Sequence, residues 1–209
     1  DRGVSYALPA YRVPQCSRAA KGTPIVQLLP IPREEAITSL LSVSSFDDDS
    51  YLLMLTKGGF IKRTPLSAFS KIRSNGLIAI GLGDGDALTW VRLAVSGDSV
   101  LIASKSGMTI HFRLNDEELR SLGRTARGVR SMNLRSGDSL VSMDVLPVDL
   151  ADRIDRSSDE LSEVNPGVNT SEGPWVLVAS ASGLGKRVPV TQFRLQKRAG
   201  MGLRAMKFR

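Results

Sequence analysis

Four short basic stretches recur along this chain of 209 residues, and each ends in a glycine. They read Ser17-Arg18-Ala19-Ala20-Lys21-Gly22, Lys71-Ile72-Arg73-Ser74-Asn75-Gly76, Gly123-Arg124-Thr125-Ala126-Arg127-Gly128 and Lys197-Arg198-Ala199-Gly200-Met201-Gly202. In three of them an arginine stands four places before the glycine; in the other, Arg73 stands three places before it. Cationic side chains beside small residues suit phosphate, because the small neighbours let a phosphodiester backbone approach main-chain N–H groups. One small anion needs one such cluster. Four clusters at regular intervals suit a curved polyanion, because DNA presents phosphates continuously along its path. Arg18, Lys21, Arg73, Arg124, Arg127, Lys197 and Arg198 are therefore the expected phosphate contacts. A single loop arginine is more commonly only solvated, and it is the repetition that carries the expectation.

Aromatic residues make up 5% of the chain and none is interleaved with the basic stretches. Recognition by stacking on unpaired bases is thereby disfavoured, and sequence-tolerant contact with duplex phosphates is favoured. The charge balance agrees. The chain carries +7, although residues 148–174 hold seven acids and two bases; residues 175–209 hold eight bases and no acid. A body so basic calls for an anionic partner, and nucleic acid leads. A membrane surface is a poorer fit, since no amphipathic basic helix and no membrane-length apolar run is visible.

Other chemistries find little support. Cys16 and His111 are the only residues of their types and lie far apart, which disfavours a disulfide framework, a cysteine-rich zinc site and a catalytic dyad. Gly183-Leu184-Gly185-Lys186-Arg187 has Ser180 and Arg187 where a phosphate loop needs a glycine and a hydroxyl residue. Gly81-Leu82-Gly83-Asp84-Gly85-Asp86 lacks the distal ligands of a calcium loop and reads as a turn.

The basic stretches must be held by something that repeats with them. Each lies in a unit of about 50 residues, a period that marks stacked or radial architectures. An early glycine (Gly3, Gly59, Gly107, Gly183) precedes each later one by about 20 residues. Short β-branched and apolar runs flank the glycines, as at 51–55, 60–63, 77–80 and 88–93. In the first unit, runs at 5–8 and 25–29 fit; in the third, those at 100–103, 108–112, 129–134 and 140–145; in the fourth, those at 175–178, 186–188 and 203–208. Thr56-Lys57-Gly58-Gly59, Ser104-Lys105-Ser106-Gly107 and Ala181-Ser182-Gly183 read as hairpin turns. Asp86 and Asp138 sit in the next turn, with Glu35 as the counterpart in the first unit. The expected fold is all-β: a β-propeller or β-pinwheel of four-stranded blades over 1–47, 48–97, 98–147 and 175–209. Residues 148–174 break the rhythm and read as an acidic, disordered insert. One short helix is expected from Asn115, as N-cap, to Leu122. Trp90 and Trp175 are expected in the core.

Several motifs together resemble a family, the C-terminal domains of DNA gyrase A and of its topoisomerase IV counterpart. They include Tyr11-Arg12-Val13-Pro14, Lys21-Gly22-Thr23-Pro24, Leu53-Met54-Leu55-Thr56-Lys57-Gly58-Gly59, Arg73-Ser74-Asn75-Gly76 and Arg127-Gly128-Val129-Arg130. The resemblance implies a six-bladed pinwheel whose blades exchange strands, of which about four are present here. It implies a module that wraps duplex DNA around a basic edge so that an ATP-dependent holoenzyme introduces negative supercoils. The topoisomerase IV version, which favours decatenation, is the alternative; a protein-binding propeller is another. The implied partners are DNA, the rest of gyrase A, and gyrase B, in a heterotetramer. Catalytic tyrosine, ATP and magnesium would lie on other parts of that assembly, so no cofactor and no catalytic residue is expected here. The family's box, Gln-Arg-Arg-Gly-Gly-Lys-Gly, is resembled by 196–202, with Gln196, Gly200 and Gly202 in place and Ala199 and Met201 departing from it. The compartment implied is a bacterial cytoplasm or an organelle, with the acidic insert leaning to a plastid.

Overall fold

The computed structural model describes residues 1–32, 34–152 and 174–207. Most of the acidic insert, and the end of the last expected strand, lie outside the described residues. Residues 148–152, expected as the start of a disordered insert, are helical instead, with Ala151 buried and Asp152 paired to Arg113. Twelve strands and one α-helix lie wholly within the described residues. They are β1 (Val4–Ser5), β2 (Ser50–Thr56), β3 (Phe60–Pro65), β4 (Leu77–Ile78), β5 (Leu88–Val95), β6 (Ser99–Ser104) and β7 (Met108–Arg113). After helix α1 (Asp116–Leu119) come β8 (Val129–Arg130), β9 (Leu140–Leu146), β10 (Trp175–Ala179), β11 (Gly185–Pro189) and β12 (Leu203–Arg204).

The hairpins β2–β3, β6–β7 and β10–β11 turn at the early glycines as expected. Gly59, Gly107 and Gly183 have φ of 84°, 80° and 83°, which glycine adopts without the Cβ clash other residues meet. Asp86 fastens the first of these turns, accepting from the Gly58 N–H at 2.7 Å and the Thr56 hydroxyl at 2.8 Å. Asp138 does the same for the next, accepting from the Ser106 N–H at 2.9 Å. Glu35 does not join this series: it accepts from the Tyr6 hydroxyl at 3.1 Å.

The sheets do not follow the repeat boundaries. Two four-stranded sheets have the orders β5-β2-β3-β8 and β12-β7-β6-β9. The third strand of the second, third and fourth units therefore leaves its own unit and pairs with the second strand of the unit before: β4 with β1, β8 with β3, β12 with β7. The same bond marks each exchange. The residue three places after the later glycine donates to the early glycine's carbonyl: Ala79 to Gly3 at 2.8 Å, Ser131 to Gly59 at 2.9 Å, Ala205 to Gly107 at 2.8 Å. Sequence order alone suggests four strands per unit in one sheet. In the second, third and fourth units the structure keeps the third strand and reassigns it, because a two-residue strand carries too little local pattern to name its partner.

The exchange closes the core. Leu53, Leu55 and Ile61 of one sheet meet Ile102, Ile110, Phe112 and Met143 of the other in a single apolar cluster. A second cluster, with Leu52, Met54, Phe69 and Ile80, fills the other face of the β2–β3 hairpin. Trp90 packs partly buried against the first cluster. Trp175 does not reach a core: it is 38% exposed on β10, in a sheet of two strands among the described residues. Residues 25–29, read as a strand, form a short 3-10 turn at Ile25–Gln27 with no sheet partner among the described residues. Helix α1 starts where expected, with the Asn115 side chain accepting from the Glu118 N–H at 2.9 Å. It stops at Leu119 rather than Leu122, since Ser121 and Leu122 lie against β3 as extended chain.

Candidate nucleic-acid interface

The basic stretches lead directly into the exchanged strands, so topology places three of them at the same edge of successive sheets, beside β4, β8 and β12. Three of the four turn at the same place. Backbone turns occupy 18–19, 124–125 and 198–199, four and three places before the glycine, while that of the second unit lies at 74–75. The turn there stands two places nearer its glycine and Arg73 only one, so Arg73 holds the first position of the turn and not the second, its carbonyl accepting from the Gly76 N–H at 2.9 Å.

Arg18, Lys21, Arg73, Arg127 and Lys197 are exposed, and Arg124 and Arg198 are half-buried. The ion pairs among the described residues, Arg63–Asp116, Arg92–Asp144 and Arg113–Asp152, involve none of these seven. Positive charge along this edge is thus left for an outside partner. Arg127 is also held in place. Its guanidinium lies 3.8 Å from the Phe60 ring centroid, with Arg130 against the same ring at 5.0 Å. Stacking uses the faces of the guanidinium and leaves its planar edge of donors for a bidentate acceptor such as phosphate.

Arg198 is committed differently. Its Nε donates to the Glu118 carbonyl at 2.5 Å, its Nη1 to the Arg130 carbonyl at 2.6 Å, and its backbone N–H to Glu118 Oε2 at 2.7 Å. Two of its five side-chain donors, and its backbone N–H, fasten the fourth unit to the third. The box-like turn is sewn in the same direction. The Gln196 N–H donates to the His111 carbonyl at 2.7 Å, and the Gly200 carbonyl accepts from Asn133 at 2.9 Å. Buried His111 joins in, with Nδ1 2.6 Å from the Phe193 carbonyl and Nε2 2.8 Å from the Ser99 hydroxyl. A carbonyl only accepts, so Nδ1 carries the hydrogen.

Within that turn Ala199 has φ of 62°, the one positive φ at a non-glycine among the described residues. A left-handed backbone costs a residue with a Cβ about 1–2 kcal/mol. Glycine relieves that strain but costs about 0.5–1 kcal/mol in chain entropy, so Ala199→Gly is expected to gain about 1 kcal/mol net and raise the melting temperature by about 2–4 °C, read by thermal unfolding. No rise would mean that the turn relaxes without strain.

Two buried cations that pattern reading passed over lie side by side in β3, and the first of them reaches a basic turn. Lys62 is fully buried in β3 and donates to the carbonyls of Gly123 at 2.9 Å and Arg124 at 2.5 Å. Burial first, and then the charge of Arg124, pull its pKa down to about 8. Arg63 beside it stacks on Tyr51 at 4.7 Å and donates to the Leu114 carbonyl at 2.9 Å. The signal was visible as two cations in the middle of an otherwise apolar hairpin. The fourth unit repeats the pattern, with Arg187 at 4.7 Å over Trp175.

Strand-exchanging blades with an uncompensated basic edge define a β-propeller module of the pinwheel type. Among known families one model matches, described as the DNA gyrase C-terminal domain, beta-propeller, over residues 1–44, 50–94, 98–147 and 174–209. The chain belongs to that family. The whole chain is 56% identical to part of the DNA gyrase A protein of Synechocystis sp., and spans 25% of that protein. It is 44% identical to a probable chloroplastic/mitochondrial DNA gyrase A protein of Oryza sativa over 99% of the chain, 21% of that protein. A solved DNA gyrase A C-terminal domain aligns with 97% of this chain and 56% of its own, at 26% identity and a TM-score of 0.70. The C-terminal domain of DNA topoisomerase IV shares the fold, at 24% identity and a TM-score of 0.76, over 97% of this chain and 55% of its own. The chain thus spans about a quarter of the curated relatives it matches.

Proposed function

We propose that this chain binds and wraps duplex DNA, as the C-terminal module of a gyrase A protein. The observation that carries the reading is the edge itself. Exchanged strands set basic turns at the same edge of successive sheets, and no acid among the described residues forms an ion pair with their cations. A duplex laid across such turns must follow their curvature, and the bend is repaid by contacts with successive phosphates. Lys21, Arg73, Arg124, Arg127 and Lys197 serve as the outward contacts, with Arg18 alongside. Arg198 contributes field and its remaining guanidinium donors, because Nε and Nη1 each bond inward. Gln196, Gly200 and Gly202 serve the join between units. In the complete protein the module supplies the geometry of strand passage. The catalytic tyrosine, ATP and magnesium belong to the rest of gyrase A and to gyrase B. The 56% match to a Synechocystis protein, against 44% to the organellar one, supports a bacterial nucleoid over a plastid.

Ligation of a nicked circular duplex tests wrapping. With the chain bound, the religated circles are expected to show a shifted topoisomer distribution, growing with protein and shrinking as salt rises. Binding without any shift would reduce the reading to a simple DNA-binding propeller. No binding at low salt would favour a protein partner instead.

A further inference from the structure

We propose that Lys62, which lies beneath the edge and not on it, is a positioning residue for duplex contact: it holds the backbone of the turn that carries Arg124 and Arg127. The inference rests on the duplex-binding reading above. Lys62 is 0% exposed, and its ammonium grips two successive carbonyls, those of Gly123 and Arg124. Thr64 adds a third grip on the same segment, its hydroxyl donating to the Leu122 carbonyl at 2.9 Å. The Leu122 N–H in turn donates to the Arg63 carbonyl at 2.9 Å. Three consecutive carbonyls, 122 to 124, are thus drawn towards β3.

Peptide planarity then fixes the other side. In a trans peptide the N–H points opposite to the preceding C=O. The N–H groups of Gly123, Arg124 and Thr125 therefore face away from β3, in the sense that a phosphate approaching the edge requires. Successive N–H groups so arranged, with cationic side chains beside them, favour an anion. Burying a lysine is costly unless its ammonium is coordinated. Here the ligands are backbone atoms of the binding turn itself, and the charged group facing Lys62 is Arg124 on that turn. The device is specific to this turn. At the matching place in the third unit stands Ile110, a core residue, while His111 next to it makes the link to the fourth unit. In the fourth unit the matching Lys186 is exposed.

The test compares wild type, Lys62→Met and Lys62→Arg, alone and in an Arg124→Ala/Arg127→Ala background. Duplex affinity is read by anisotropy with a mixed-sequence duplex, and backbone order at 122–126 by amide hydrogen exchange. Lys62→Met is expected to bind about tenfold more weakly, the equivalent of one charge-assisted hydrogen bond. Exchange at 123–125 rises, Lys62→Arg recovers part of the loss, and the loss is smaller in the background already lacking both arginines, where only the backbone N–H contacts remain. Wild-type binding by Lys62→Met overturns the proposal, and so does an equal loss in both backgrounds. If wild type itself binds no duplex, the wrapping reading falls and this inference with it, while the exchange result still registers the grip on the turn. Should Lys62→Met fail to fold, Thr64→Val reads the same segment through its lost bond to Leu122. A weaker affinity then supports the proposal, and an unchanged one overturns it.

Discussion

Reversing Arg124 and Arg127 together to glutamate is expected to flatten the log–log salt dependence of duplex binding by about 1.8, since each phosphate contact contributes about 0.9. At about 0.15 M salt the same two contacts correspond to roughly a 30-fold loss of affinity, and like-charge repulsion deepens it. The loss should be the same for every duplex sequence, because phosphate contacts carry no base information. The fold should survive. Arg127 is exposed and stacks on Phe60 at 3.8 Å, a contact worth about 0.5–1 kcal/mol at such a site. Arg124 is half-buried and outside the core clusters. Titrations at several salt concentrations with two unrelated duplexes decide the matter. An unchanged slope, or a loss confined to one duplex, would remove the edge as the DNA-binding surface.

The largest effect on stability is expected at Gly128 and Gly202, with Gly22 as the internal control. All three occupy the same place in the repeat and have φ of 94°, 76° and 74° respectively. Each alanine therefore meets the left-handed penalty of about 1–2 kcal/mol. Their surroundings differ. A Cβ at Gly128 would stand 2.5 Å from the Ile61 carbonyl oxygen, and one at Gly202 would stand 2.4 Å from that of Thr109. At Gly22 it would meet nothing within 4 Å. Backbone atoms of an exchanged pair cannot swing aside as a side chain tip can. Gly128→Ala and Gly202→Ala should lose about 3 kcal/mol or more, from strain plus displaced strands, against about 1–2 for Gly22→Ala. Denaturant midpoints at constant m-value compare the three. Equal costs would mean that the exchange contacts give way easily.

These glycines also mark how far the sequence could be read. Positive φ is a local demand that glycine answers, so Gly59, Gly107, Gly128 and Gly202 announced turns and a repeat without any knowledge of neighbours. The basic turns were legible for the same reason: Arg18, Arg124 and Arg198 fall at the same step of the same turn. The exchange was not legible in the strands themselves. Val129–Arg130 and Leu203–Arg204 are two residues each, and their partners are fixed by contacts dozens of residues away. The likeness to a strand-exchanging family supplied what their pattern lacked. Lys62 escaped for a related reason. Whether a lysine in a strand faces water or carbonyls depends on what covers it, and the cover comes from 61 residues further on. Arg198 shows the converse. It has the spacing of a DNA contact, yet its Nε and Nη1 are engaged by the carbonyls of Glu118 and Arg130.

Lending each third strand to the preceding unit makes the blades links of a clasped chain rather than beads on a string. A linear array of self-contained repeats can melt or fray one member at a time. Here the melting of one unit withdraws an edge strand from its neighbour and uncovers that neighbour's unpaired N–H and C=O groups, so loosening spreads. Tension applied by a bent duplex at one turn is likewise carried as shear between two sheets and is not concentrated in one hairpin. Unfolding under load should therefore proceed in steps larger than a single blade.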